Sequence, residues 1–360
     1  MTENKGYLTK QLITCIGNKR KLLGPIIDIM GSISEELGRK LDILDMFSGS
    51  GVVSRAVRPH ARTVIANDLE RFSQVVNNSF LVNHSEKDLL AAEELCKELN
   101  ALADKDEMVE GFISKLYAPK DDVCKEGERC FYTTDNAKRL DSFRQWLVGD
   151  PAEKLLLGPL LAAASIHTNT AGIFKSYYKK DGIGHFGGKG EDALARIKGK
   201  IELSPPVQSN FNVSVSIFRE DAMTLAPYLP HVDVAYLDPP YNQHPYGSNY
   251  FMLNLLADYV EPYDISRVSG IPKDWNRSNY YKKDAAKKEL CSLLETVKAS
   301  YVLLSYSNEG FIPREEIKEI LEDIGTLISI TDKRHNVFRG SRNFNHRPTD
   351  LTEQFFLLKK

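Results

Sequence analysis

The segment that most restricts the fold spans residues 41–68. Leu41-Asp42-Ile43-Leu44-Asp45 is a short apolar strand that runs straight into Phe47-Ser48-Gly49-Ser50-Gly51. Residues 52–57 have helical spacing, Pro59 closes that helix, and Arg62-Thr63-Val64-Ile65-Ala66 reads as a second strand ending at Asn67-Asp68. A strand, a glycine turn, a helix and a strand ending on an acid make the opening unit of an α/β nucleotide-binding sheet.

The same alternation returns late in the chain. Strand signals lie at residues 213–218, 232–237, 301–305, 327–330 and 354–358, with helical spacing at 20–37, 285–297 and 317–324. Strands alternating with helices predict a mostly parallel sheet. Between about 72 and 204 the alternation stops. Residues 89–108, 142–148 and 155–166 are helical in spacing, and 168–190 is rich in Gly, Lys and aromatic residues. We therefore expect one sheet domain, residues 1–78 and 206–360, interrupted by a largely helical insertion at 79–205.

Two motifs carry chemistry. Gly49 and Gly51 can take positive φ and let a ligand approach the backbone. Their spacing is not Gly-x-Gly-x-x-Gly, so no pyrophosphate cradle is expected. Asp68, at the end of the second strand, is placed to accept both ribose hydroxyl protons of an adenosine-type ligand. Asp238-Pro239-Pro240-Tyr241 follows the apolar strand at 232–237 directly. The exocyclic amine of adenine is a poor nucleophile because its lone pair is delocalised into the ring. A carboxylate and a rigid backbone carbonyl can bind its two hydrogens and free that lone pair. Two prolines hold the carbonyls still, and a tyrosine ring can stack on a base that has left the duplex.

With these motifs in view, the chain resembles the Dam-like (alpha-group) adenine-N6 DNA methyltransferases, of the kind found in restriction–modification systems. Thr14-Cys15-Ile16-Gly17-Asn18-Lys19-Arg20-Lys21-Leu22-Leu23 is similar to the N-terminal cofactor motif, residues 45–51 to the glycine motif, Asn67-Asp68 to the ribose motif, and Glu220-Asp221-Ala222 to the cofactor-adenine motif. The stretch through Asn242, Tyr246, Asn249 and Tyr250, with Ser305-Tyr306-Ser307-Asn308-Glu309-Gly310, strengthens the likeness. Cys15 departs from it, standing where the family usually has an aromatic. The resemblance implies a seven-stranded methyltransferase sheet with a target-recognition insertion, and S-adenosylmethionine as cofactor. It places Cys15, Lys19, Asp45, Phe47, Gly49, Gly51, Asp68, Asp221 and Asp238 at the cofactor and Asp238, Pro239, Pro240 and Tyr241 at the reacting base. An N4-cytosine methyltransferase, a DNA-binding relative without catalysis and, more distantly, a nicotinamide dehydrogenase stay open as other readings.

Net charge is −2, so any DNA surface must be a patch. Residues 333–347 hold Lys333, Arg334, Arg339, Arg342 and Arg347 without an acid, with Phe338 and Phe344 interleaved. That composition favours phosphate contact. In the insertion, the half containing Ser176-Tyr177-Tyr178-Lys179-Lys180 is the more basic, and Lys179, Lys180, Tyr250, Arg334, Arg339 and Arg342 are the DNA-binding candidates. Double-stranded DNA is the expected partner, with a cognate restriction endonuclease as a second protein and a monomer as the oligomeric state. The five cysteines have irregular spacing and no CxxC, which predicts a reducing compartment without a disulfide framework. Cys124 and Cys130 with His167 or His185 make only a weak zinc candidate, and no metal is expected. The start lacks an apolar core and a cleavage site, and no apolar run reaches membrane-spanning length. The expected location is cytoplasmic, at the nucleoid through DNA.

Overall fold

A computed structural model describes residues 2–10, 13, 15–105, 107–188, 190–336 and 350–360. Its sheet has seven strands: β1 Leu41–Asp45, β2 Ala61–Asp68, β3 Ser214–Arg219, β4 Val232–Leu237, β5 Ala299–Ser307, β6 Thr326–Asn336 and β7 Asp350–Lys359. They lie in the order β3-β2-β1-β4-β5-β7-β6. Only β7 runs antiparallel to its neighbours. The predicted α/β class, with seven mostly parallel strands, is the observed one. No helix among the described residues is long and apolar enough to cross a membrane.

Successive side chains of a strand point to opposite faces, and both faces here are covered. On one face Ile43, Val234, Tyr236 and Leu303 pack under helix α1, Leu23–Leu37. That helix offers Ile26, Met30 and Ile33 at helical spacing. Gly38 ends it at φ +63°, with its N–H on Glu35 O and the Arg39 N–H on Ser34 O, a left-handed closure that favours glycine. On the other face Leu44, Ala235, Leu237, Val302 and Leu304 meet Leu290, Leu293, Ile317 and Leu321 from the helices Lys283–Thr296 and Arg314–Ile324.

The insertion is helical. Helix α2, Arg71–Leu81, leaves β2, and then α3 Glu86–Asp104, α4 Thr134–Leu147 and α5 Glu153–Ile166 follow. The expected boundary at 78/79 falls inside α2. That helix packs on α5, where the Gly158 N–H donates to Ser79 Oγ at 2.9 Å. Helix α4 starts well before the expected residue 142. Its inward face is polar there, which hides the period. Asn136 bonds Ile201 N and Gly199 O, and Arg139 pairs with Asp104 and Asp135. Asp141 accepts the amides of Gly111, Ile113 and Ser114.

The cysteine expectation is corrected at one point. Cys124 and Cys130 are joined as a disulfide, while Cys15, Cys96 and Cys291 are free. The pair lies against Gly184 of the Lys179–Lys180/Ile183–Gly184 hairpin. His167 bonds Arg196 O and His185 faces Glu191, so neither ring is committed to that cysteine pair.

Candidate active site

β1 has β2 on one side and β4 on the other, so the chain order reverses across it. Open α/β sheets bind ligands at the carboxyl ends of strands at such a point. A cleft of about 870 Å³, counting its open mouth, lies there. It brings together Cys15, Lys19, Asp45, Phe47, Gly49, Asp68, Asp221 and Asp238, which are eight of the nine expected cofactor residues. Gly51 is not among the lining. Its φ is +70°, and a Cβ there would sit 2.0 Å from Asn77 Oδ1. That glycine closes the turn into helix Val52–Ala56.

The acids of the cleft are held in different ways. Asp68 Oδ2 accepts the Gly49 N–H at 2.8 Å and Oδ1 accepts the Glu70 N–H at 2.9 Å. The glycine turn and the end of β2 are thereby locked together. Burial holds the Asp68 carboxyl above its usual range. Asp45 is buried, with Oδ2 accepting from Ser54 Oγ at 2.6 Å and Oδ1 left without a partner. Burial pushes its carboxyl up to about 7. Glu70 likewise has a buried unpartnered Oε1, while Asn254 and Asn276 donate to Oε2. Two unpartnered buried carboxylate oxygens in an acid-rich cleft suit a ligand with hydroxyl donors and positive charge. Asp221 caps helix Ala222–Leu225 by accepting from Met223 N and Thr224 N. Phe47 stands edge-on to Tyr280 at 5.5 Å.

A second, smaller cavity opens beside the cleft. Asp238, Pro239, Pro240, Tyr241, Asn242, His244 and Tyr246 line it, and it shares Ile16, Gly17, Lys19, Asp238, Pro240 and Tyr246 with the cleft. Asp238 thus faces both spaces. Tyr241 meets Tyr306 edge-on at 6.0 Å, and its carbonyl accepts the Phe311 N–H at 2.9 Å. Tyr246 Oη donates to Ile16 O and Tyr250 Oη accepts the Ile16 N–H, both at 2.6 Å. The two tyrosines hold the 15–19 segment across the shared wall.

Lys19 is turned inward rather than toward open cleft. It is 2% exposed. Its Nζ lies 2.9 Å from Asp238 Oδ1, 3.1 Å from Glu353 Oε1 and 3.2 Å from Gly17 O, which uses all three ammonium protons. Burial opposes the Lys19 charge, but Asp238 and Glu353 more than offset it and hold the ammonium protonated. The Asp238 carboxyl sits above the usual carboxylate range; burial raises it, Lys19 lowers it and Glu353 raises it.

The DNA candidates separate. Lys179 and Lys180 are exposed on their hairpin, with Lys179 Nζ 4.9 Å from the Tyr177 ring centre. Arg334 is exposed on β6, so it belongs to a strand and not to the expected loop. Arg339 and Arg342 lie outside the described residues. Tyr250 is corrected: it is 0% exposed, and its hydroxyl is spent on the Ile16 amide, so no face is left for DNA. Glu70, Tyr280 and Tyr281 also line the cleft, and Glu353 reaches it through Lys19; none carries a signal of its own in the sequence, although Glu70 stands two residues beyond Asn67-Asp68.

A family model for D12 class N6 adenine-specific DNA methyltransferases matches residues 16–335. Among known proteins, the Type II methyltransferase M.NlaIII of Neisseria lactamica is 28% identical over 355 residues, covering 96% of this chain and 98% of that protein. The Type II methyltransferase M.CviAII of Paramecium bursaria Chlorella virus 1 is 27% identical over 335 residues, covering 90% and 94%. The Type II methyltransferase M.FokI of Planomicrobium okeanokoites is 26% identical over 360 residues, covering 94% of this chain but 52% of that longer protein. The family match extends from the segment before α1, across the glycine turn and the Asp238 turn, into β6. The chain belongs to the D12 class N6 adenine-specific DNA methyltransferases.

Proposed function

We propose that this chain transfers a methyl group from S-adenosylmethionine to the N6 amine of an adenine flipped out of double-stranded DNA. The observation that carries the reading is the position of Asp238, which lines both the acid-rich cleft and the smaller cavity beside it. S-adenosylmethionine supplies an activated methyl group on a sulfonium. Asp68 accepts the ribose hydroxyls, and the free Asp45 Oδ1 accepts from the ammonium of the donor's amino-acid end. Asp221 faces the donor's adenine, and Cys15 and Phe47 pack against it.

On the other side of Asp238, Tyr241 stacks on the target base and the Pro239 carbonyl takes one amine hydrogen. Asp238 accepts a hydrogen bond from the second, as the carbonyl does from the first, which frees the nitrogen lone pair toward the cleft, and the amine would give up its one surplus proton once the methyl group is bound. Most of the acceleration comes from orientation and fixed dipoles. The residues at 79–205 carry target recognition. Lys179, Lys180 and Arg334 contact phosphates, as do Arg339 and Arg342.

The named relatives are type II methyltransferases, which favours a restriction–modification role in the cytoplasm. In that setting the chain acts as a monomer, and a cognate endonuclease cuts the unmodified site. The test is to treat random-sequence DNA with purified protein and cofactor and map the product. N6-methyladenine in one short fixed context is the expected result. Methyl on cytosine N4, or no methylated base, would overturn the reading.

A further inference from the structure

Glu353 lies on β7, far in sequence from every motif, and lines neither cavity, yet its carboxylate meets the ammonium of Lys19 behind Asp238. It is 2% exposed. Its Oε1 accepts from Ser305 Oγ at 2.5 Å and from Lys19 Nζ at 3.1 Å. Lys19 in turn reaches Asp238 Oδ1 at 2.9 Å. The result is a buried line from β7 through the N-terminal segment to the turn after β4, with two carboxylates and one ammonium. Burying an unbalanced charge is costly, and a bare Lys–Asp pair would have served to neutralise Asp238. A second carboxylate makes the group net negative, so simple charge balance does not account for it.

We propose that Glu353 is a positioning residue for methyl transfer: it holds the Lys19 ammonium on a single oxygen of Asp238 and leaves the other oxygen for the target amine. This rests on the role given to Asp238 above. Geometry supplies the reason. Lys19 has three protons, and Glu353 and Gly17 O take two of them. Only one is left for Asp238, so the lysine cannot close over both of its oxygens. Without Glu353, the ammonium would be drawn fully onto Asp238 and would compete with the amine for it. The charge of Glu353 also keeps Asp238 a better acceptor, because a nearby anion opposes loss of its proton. Asp45 from β1, Tyr236 from β4, and Tyr241 and Tyr246 from the following loop also face the trio. The tyrosines stay neutral because burial raises them, and Asp45 is bonded to Ser54 rather than to Lys19.

The experiment compares Glu353→Gln, Glu353→Asp and Asp238→Ala with wild type in single-turnover methyl transfer across pH 5 to 9. Folded enzyme, in excess over a DNA carrying the mapped target, and the methyl donor are both saturating, so the rate does not depend on the folded fraction. Glu353→Gln keeps the shape and removes the charge. It is expected to slow transfer about tenfold at pH 8, to move the acid limb of the rate to lower pH, and to leave cofactor and DNA affinities unchanged. Glu353→Asp keeps the charge but falls short of Lys19, so it slows transfer with the limb closer to wild type. A purely structural role would not move the limb. A Glu353→Gln enzyme with the wild-type rate and limb, alongside an inactive Asp238→Ala, would overturn the proposal. Asp238→Ala turning over like wild type would instead remove the reading of the site on which it rests.

Discussion

Asp68 shows how a single side chain can serve the fold and the site together. Each carboxylate oxygen takes one backbone N–H, from Gly49 and from Glu70, and each has a lone pair left for a ligand hydroxyl. Asp68→Ala should therefore weaken cofactor binding by about 1.5–3 kcal/mol, the range for hydrogen bonds to a charged group. Titration calorimetry measures this directly, and unchanged affinity would take Asp68 out of the ligand's reach. The sequence already pointed to this residue, since an acid at the end of a strand after a glycine turn suits a ribose or a capped turn, and the bonds to Gly49 and Glu70 are of the second kind. Lys19 was legible as a member of the site but not in its orientation. Its partners Asp238 and Glu353 lie far apart in the sequence, after β4 and on β7, and no local pattern records that these strands flank β5 and so bring both to one ammonium. Tyr250 was misread for a related reason: aromatics near a DNA site look alike in sequence whether they face a base or clamp a backbone amide.

Elements of the sheet were readable because strands covered on both faces appear as apolar runs, as in β4, where every residue is buried. The first half of helix α4 is hidden in the sequence because Asn136, Arg139 and Asp141 occupy its inward face and make specific bonds there. Helix α2 was passed over for the same reason, since Ser73, Asn77 and Ser79 are among its buried residues. The contact between α2 and α5 is close enough to test. A Cβ at Gly158 would lie 2.5 Å from Ser79 Oγ and 2.6 Å from Ser79 Cβ. The Oγ can rotate, but the Cβ is fixed by the α2 backbone and cannot move aside. Gly158→Ala should push the helices apart and destabilise the protein by about 1–3 kcal/mol, as overpacked cores do. Urea unfolding at equilibrium reads the loss, and a variant as stable as wild type would mean that the two helices adjust freely.

At the scale of the whole molecule, the cleft stores unfavourable charge. Asp45 and Glu70 are both raised to about 7 by burial. In the unfolded chain such groups lose their protons near pH 4. Between about pH 4 and 7 the folded state therefore binds more protons than the unfolded one, and stability falls as pH rises through that window. Asp45→Asn removes one of these groups. In protein without cofactor, the variant's melting temperature should exceed that of wild type by a margin that grows from pH 5 to pH 8. A constant margin would show that Asp45 is not the source. The same charge suits a cationic donor, so the fold gives up some stability at neutral pH to hold its ligand.

Asp238 joins the larger cleft to the smaller cavity, and in the proposed reaction it activates the amine there. The most direct test of that role is tritiated methyl transfer by Asp238→Ala to a DNA carrying the mapped target, with circular dichroism to check folding and separate titrations of cofactor and DNA. The expected result is a folded protein that keeps much of its DNA affinity, since phosphate contacts lie elsewhere, and that transfers no measurable methyl because the acceptor for the amine is gone. A folded Asp238→Ala protein with near wild-type transfer would contradict it.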